Sequence, residues 1–426
     1  MNIRPLILIL SLACVFSCTK EEVRWVDFTS ASQASKDFFN VYMQKVDNLS
    51  EDGIPADCYL PGGVSLSEYE DSSATKATTI SPNLFFQKLI GANSGGRVTE
   101  LAGTYRSVDT NGDEITLSGK VILPSDGKFE RYMLVSHYTV GSNAEAPSNC
   151  FSIEGVFATM GYCVIVPDYL GYGVTSHLVH PYLAMDLTAR NALDMYLAVK
   201  PFMEACGVAP EYDDIIVMGF SQGGANTMAV QRLIETSYKD EISIRRVFAG
   251  GGPYDVTATY DSFVTTNHAA YPCAVPLVVQ GMQVGAGLSL TMESFATPLV
   301  YENLDEWFNS KRYTTREMNE LLGTHTTSDL ISPAGLDRTS YEVAELYMAM
   351  NANSIIKTGW TPEAPVYMLH SMDDDTVDFI NAMHAKSTWE DANIVYNFGH
   401  YGNHTKCYLR FISTISTILT EEKLSK

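Results

Sequence analysis

The sequence predicts an α/β chain, a mostly parallel central sheet flanked by helices and interrupted late by a helical insertion. Three observations predict it. Short apolar runs alternate with longer segments of helical periodicity from about residue 130 to 250 and again from 366 to 419. Runs such as Tyr162-Cys163-Val164-Ile165-Val166 and Ile215-Ile216-Val217-Met218 are apolar throughout, as strands covered on both faces must be. Between Asp255 and Thr361 the alternation stops, for far longer than an ordinary connection of roughly two to six residues.

The chain opens with an export signal, residues 1–18. Arg4 supplies a short positive region, and Leu6 to Phe16 is apolar but too short for the roughly 20 residues of a spanning helix. The run Val15-Phe16-Ser17-Cys18 resembles a bacterial lipobox, in which the cysteine takes the lipid. Cys18 is favoured over Cys14, because cleavage before Cys14 would leave Val15 and Phe16 exposed near the new terminus. The expectation is a bacterial envelope protein, lipid-anchored at the outer membrane or surface and touching the membrane only through that anchor. The other six cysteines lack CxxC spacing, so no zinc or redox site is expected, and an oxidising compartment would permit disulfides without assigning pairs.

Residues 19–99 are expected to form a spacer and an element packed on the body, away from the chemistry. Within them Phe38, Phe39, Tyr42, Met43 and Val46 share a helical face, and Ser65 to Ser81 reads as linker. The core is assigned to 100–254 and 362–426, with the helical cap at 255–361. Glu114 to Leu123 alternates as a strand behind the turn Asp109-Thr110-Asn111-Gly112-Asp113, which reads as a hairpin. A calcium loop is excluded there: Gly112 comes too early, and Lys120 stands where the final carboxylate should be. Helices are expected over Ser152–Met160, Ala184–Ala205, Ala225–Ile234, Val377–Trp389 and His404–Leu419. In the cap, Met282, Leu288, Met292, Phe295, Tyr301, Trp307 and Phe308 are read first as its own core.

Composition narrows function. With 50 Asp and Glu against 28 Lys and Arg, the formal charge is −22. Such a surface repels polyanions, so nucleic acid is not an expected partner.

The strongest chemical signal is Gly219-Phe220-Ser221-Gln222-Gly223-Gly224. It follows an apolar strand and precedes an amphipathic helix, the context in which a serine sits on a sharp turn with its hydroxyl exposed. The Gln222 N–H then lies at a helix N-terminus, where a free donor and the helix dipole favour a developing oxyanion. Beside this stand Ser136-His137-Tyr138-Thr139-Val140-Gly141, the stretch Val166-Pro167-Asp168-Tyr169-Leu170-Gly171-Tyr172-Gly173, and His180-Pro181-Tyr182-Leu183.

From about residue 100 to the C-terminus the chain resembles the α/β-hydrolase superfamily, within it the secreted lipase and esterase group. The resemblance implies Thr139 as the second N–H donor of an oxyanion hole, with Tyr138 where the family has glycine. It implies an acid after the first strand beyond the cap, in His370-Ser371-Met372-Asp373-Asp374-Asp375, and its register selects Asp374. Asp373, Asp375 and, farther off, Asp255 remain alternatives. The base is expected after the last strand, where His404 is favoured over His400. His137 and His180 are read as structural.

Ser221, His404 and Asp374 would then perform two-step acyl transfer on a small-molecule or polysaccharide-borne ester, with no cofactor and no metal. Two other readings stay open: a peptidase or aminoacyl hydrolase on the same fold, and a non-catalytic surface protein that binds glycans.

Overall fold

The computed structural model describes residues 25–36, 47–48, 58–66, 69 and 97–425. Cys18, the expected lipidation site, and the helix expected around Phe38 lie outside them, as does most of the linker expected over Ser65–Ser81.

Strands are numbered in chain order. The N-terminal region gives β1 (Val26–Asp27), β2 (Asp47–Asn48), β3 (Tyr59–Leu60) and β4 (Val64–Ser65). The body gives β5 (Arg97–Val108), β6 (Glu114–Pro124), β7 (Arg131–Ser136), β8 (Tyr162–Pro167), β9 (Ile215–Phe220), β10 (Ile244–Gly250), β11 (Val366–Ser371) and β12 (Ile394–Gly399). Ten of them make one sheet in the order β1-β5-β6-β8-β7-β9-β10-β11-β12, with β2 also on β5. From β8 to β12 every pairing is parallel. The two long strands β5 and β6 form the expected hairpin, and Asp109 closes its turn by accepting the Asn111 and Asp113 amides.

Alternate residues of the central strands feed two cores. Leu134 and Val217 point into one, with the helices α1 (Met185–Ala205) and α2 (Gln222–Ser237) and the cap. Met133, Val135, Ile216 and Met218 point into the other, against the C-terminal helix His404–Leu424. A period of two with both faces covered is why these strands read as unbroken apolar runs. Burying each such Val, Leu or Ile contributes roughly 1.5–3 kcal/mol.

Three expectations are corrected. Ile153–Met160 winds as a 3₁₀ helix instead of an α-helix, ending at Gly161 in the left-handed region. The helix expected from Val377 begins at Ile380, because residues 374–378 are used in a turn: Asp374 accepts the Thr376 and Val377 amides. The N-terminal region is also not remote from the chemistry. β1 extends the sheet on β5, and the β3–β4 hairpin reaches the cavity described below.

Between β10 and β11 the chain runs through α3 (Val256–Thr266), α4 (Ala274–Ala286), α5 (Thr315–Leu322), α6 (Tyr341–Ala352) and shorter helical turns. Met282, Met292, Phe295 and Phe308 are buried there, with Leu288, Tyr301 and Trp307 packed against them. None of the seven lines the cavity, to which the cap gives an apolar side of Phe263, Ala270, Tyr271, Ala274 and Val278 and a polar side that includes Arg316, Asn319, Glu320 and His325. The six described cysteines are all buried and unbridged.

Candidate active site

The strand order reverses around β7, which is flanked by β8 and β9, so the loops leaving β7 and β9 open side by side. Ser136 at the end of β7 is in register with Gly219 near the end of β9. Open α/β sheets bind ligands at such a point, beyond the carboxyl ends of the strands.

Ser221 occupies the turn from β9 to α2 with φ 60° and ψ −126°. That conformation costs a non-glycine residue about 1–3 kcal/mol and is held by its neighbours. Its N–H donates to Gly250 O at 2.9 Å, and its carbonyl accepts the Gly224 N–H at 2.8 Å. Glycine is required on either side. A β-carbon at Gly223 would strike the Ser136 carbonyl, and one at Gly219 the Gly223 carbonyl. With the backbone pinned, the side chain faces the cavity.

Beyond β11, Asp374 is buried. Its Oδ1 accepts the Thr376 and Val377 amides at 3.0 and 2.9 Å, and its Oδ2 lies 2.7 Å from His404 Nδ1. Burial alone would raise the Asp374 carboxyl, but His404, His370 and the Val377 amide together hold it below its ordinary value. An ionised carboxylate only accepts, so Nδ1 of His404 carries a proton, which in the neutral ring leaves the lone pair on Nε2. That Nε2 is buried and has no hydrogen-bond partner among the described residues. The ring rests on Phe220, the residue before Ser221, with centroids 4.8 Å apart.

Two backbone donors complete the arrangement. Gln222 N is the first amide of α2, and Thr139 N follows β7; neither finds an acceptor among the described residues. Tyr138, where a glycine was expected, is accommodated because its hydroxyl reaches Tyr59 O at 2.5 Å and its ring packs on Tyr408. The side chains are tied back as well. Thr139 Oγ1 lies 2.7 Å from the Tyr182 hydroxyl, and Gln222 Nε2 donates to His180 Nε2 at 2.8 Å.

Ser221, His404 and Thr139 line a cavity of about 520 Å³, within the range of roughly 300–1,000 Å³ usual for small-molecule sites. The remaining candidates lie elsewhere or serve differently. His400 pairs with Asp373 at the surface. Asp375 lines the cavity and accepts the His404 N–H at 3.2 Å. Asp255 caps α3 and pairs with Lys357 and His384 at 2.8 and 2.9 Å. His137 and His180 are buried, their rings bonded to the carbonyls of Tyr138 and Leu170. Burial lowers them to about 4 and about 3, so both are neutral.

Two features were missed from the sequence. One is the β3–β4 hairpin, which gives Pro61, Gly62 and Val64 to the cavity wall. The other is Glu145. Its buried carboxyl accepts the Gly141 and Ser142 amides at 3.0 and 2.9 Å and so holds the loop that carries Thr139. The S-x-x-E spacing of Ser142 and Glu145, a capping-box signature, could have revealed it.

A serine on a strained turn and an aspartate-backed imidazole thus share one cavity beyond the strand ends of an α/β-hydrolase fold. Residues 148–406 match the secretory lipase family, and the chain belongs to it. A secreted triacylglycerol lipase, LIP5 of Malassezia furfur, is 24% identical over 254 residues, 55% of this chain and 57% of that lipase. The chain thus spans little more than half the length of that relative. Among solved structures, the rice cell wall degrading esterase LipA from Xanthomonas oryzae superposes with a TM-score of 0.65 at 19% identity, over 78% of this chain and 92% of that one. Candida antarctica lipase A in its closed state gives 0.55 at 17% identity, over 74% and 75%. At these identities the two structures establish the shared fold.

Proposed function

We propose that this chain hydrolyses carboxylic esters through an acyl-Ser221 intermediate. One observation carries the reading: His404, whose ring is backed by Asp374 and whose buried Nε2 has no partner among the described residues, lines the same cavity as Ser221. Neutral His404 takes the Ser221 proton at Nε2 as Oγ attacks the ester carbonyl, while Asp374 steadies the imidazolium. The oxyanion is received by the Thr139 and Gln222 amides, each of which contributes roughly 10²–10³ in rate at comparable sites. His404 then protonates the departing alkoxide. A water molecule activated by the same nitrogen releases the acid and restores Ser221. No step calls for a cofactor or a metal.

The substrate is a small-molecule or polysaccharide-borne ester. Membership of the secretory lipase family supports export, and the Ser17-Cys18 junction supports a lipid anchor at the bacterial envelope. Loss of palmitate labelling in Cys18→Ala tests the anchor, and persisting label would refute it. For the chemistry, Ser221→Ala is expected to fold normally, escape fluorophosphonate labelling and keep less than about one-thousandth of the activity on p-nitrophenyl esters. Undiminished turnover in that variant would remove Ser221 from the mechanism. Preference for aminoacyl p-nitroanilides in the parent protein would instead turn the assignment to amide hydrolysis.

A further inference from the structure

The β3–β4 hairpin precedes the span that defines the family, yet it is built into the site at three points. Thr405 Oγ1 donates to Pro61 O at 3.0 Å, one residue past His404. The Tyr138 hydroxyl donates to Tyr59 O, one residue before Thr139. Gly63 fits so closely against the start of α5 that a β-carbon there would lie 2.9 Å from the Arg316 and Thr315 amides. Cys58, Leu60 and Leu66 anchor it in the core shared with Phe220 and Tyr408. Such a segment has a fixed position, and its Val64 lines the cavity.

The reaction gives that position a meaning. On the ester-hydrolase reading, the leaving oxygen must receive its proton from His404 Nε2, while the carbonyl oxygen turns toward the Thr139 and Gln222 amides. The alcohol portion of the ester therefore lies on the His404 side. The hairpin tip is bonded to Thr405, on that same side.

We infer that the 58–66 hairpin is the wall facing the alcohol portion of the substrate, and that Val64 sets which alcohols are accepted. Once the ester bond breaks and the alcohol departs, the acyl group on Ser221 has no partner in Val64. The hairpin therefore selects in the first half-reaction and is indifferent to the length of the acid.

The test uses the full chain with Val64→Trp and Val64→Ala. Butyrate esters of ethanol and of 1-naphthol vary the alcohol; p-nitrophenyl esters from acetate to decanoate vary the acid. Val64→Trp is expected to lower kcat/KM for naphthyl relative to ethyl butyrate by about tenfold or more, and Val64→Ala to raise it, in line with what a few methylenes change in a pocket. Acyl-length preference should move less than about twofold. A shift in acyl-length preference instead, or no shift in either series, overturns the inference. Fluorophosphonate labelling reports an intact site in each variant; if Val64→Trp does not label, Val64→Ala decides alone. Persistent hydrolysis by Ser221→Ala is a separate result, and it would bring down the underlying ester-hydrolase reading instead.

Discussion

Two aspartate–histidine pairs lie within a few residues of each other, and their contact distances hardly differ. His400 Nδ1 is 2.8 Å from Asp373, and His404 Nδ1 is 2.7 Å from Asp374. Their surroundings do differ. The side chains of His400 and Asp373 are 74% and 45% exposed; those of His404 and Asp374 are 7% and 0% exposed. In water the first pair is screened and free to rotate, so it contributes little. In the interior the second pair is held by two further amides on Asp374, and its ring lines the cavity with the far nitrogen unpartnered among the described residues. Contact distance alone therefore does not identify a catalytic pair. The inner pair is set apart by burial together with an unused nitrogen on a ring that lines the cavity.

The comparison breaks most sharply on Asp374→Asn. Asparagine would offer His404 an amide in place of an acceptor and favour the wrong tautomer, so kcat on a p-nitrophenyl ester is expected to fall about 10⁴-fold. Asp373→Asn should stay within about twofold of the parent, since its partner pair is solvated. Exchanged outcomes would move the chemistry to the outer pair.

A second contrast lies between buried carboxyls. Asp374 has two imidazoles beside it; Glu145 has only amides and a hydroxyl, and burial raises it from 4.5 to about 7. Below pH 4.5 both the folded and the unfolded chain hold the Glu145 proton. Between 4.5 and about 7 the folded state keeps a proton that the unfolded state has lost, so stability falls as pH rises, by up to about 3 kcal/mol. Asp374 has the opposite sign: its contribution is present above the unfolded value and is lost as acid protonates the folded carboxyl. Urea unfolding of Glu145→Gln at pH 5 and pH 8 should show the variant gaining on the parent at the higher pH. Equal differences at the two pH values would mean that the carboxyl is ionised throughout.

The smallest expected effect is that of His400→Ala: about 0.5 kcal/mol or less in unfolding free energy, and unchanged turnover. A larger loss would show that the surface pair helps set the turn that holds Asp374.

How far the sequence foretold these features follows from what each one needs. Strands buried on both faces must be apolar at every position, so β8 and β9 were readable directly. The serine turn was readable because two close backbone approaches exclude any side chain at Gly219 and Gly223. Among Asp373, Asp374 and Asp375, residue type carries no distinction. They differ in direction: one points to His400, one to His404 Nδ1, one to the His404 amide. The capping-box spacing of Glu145 was visible in the sequence, but its burial was not, because the loop packs Gly141 against the Thr314–Thr315 backbone, distant in sequence. The hairpin at 58–66 was hidden for a similar reason. Its partners, Tyr138 and Thr405, are respectively about 80 and 340 residues away.

The six described thiols are enclosed and unbridged, and burial pushes those of Cys163, Cys273 and Cys407 above their ordinary value, away from the reactive thiolate. The described body is thus held by packing without a disulfide. An alkylating reagent could reach these sulfurs only through transient opening, which makes the modification rate a clock for how often the interior comes apart.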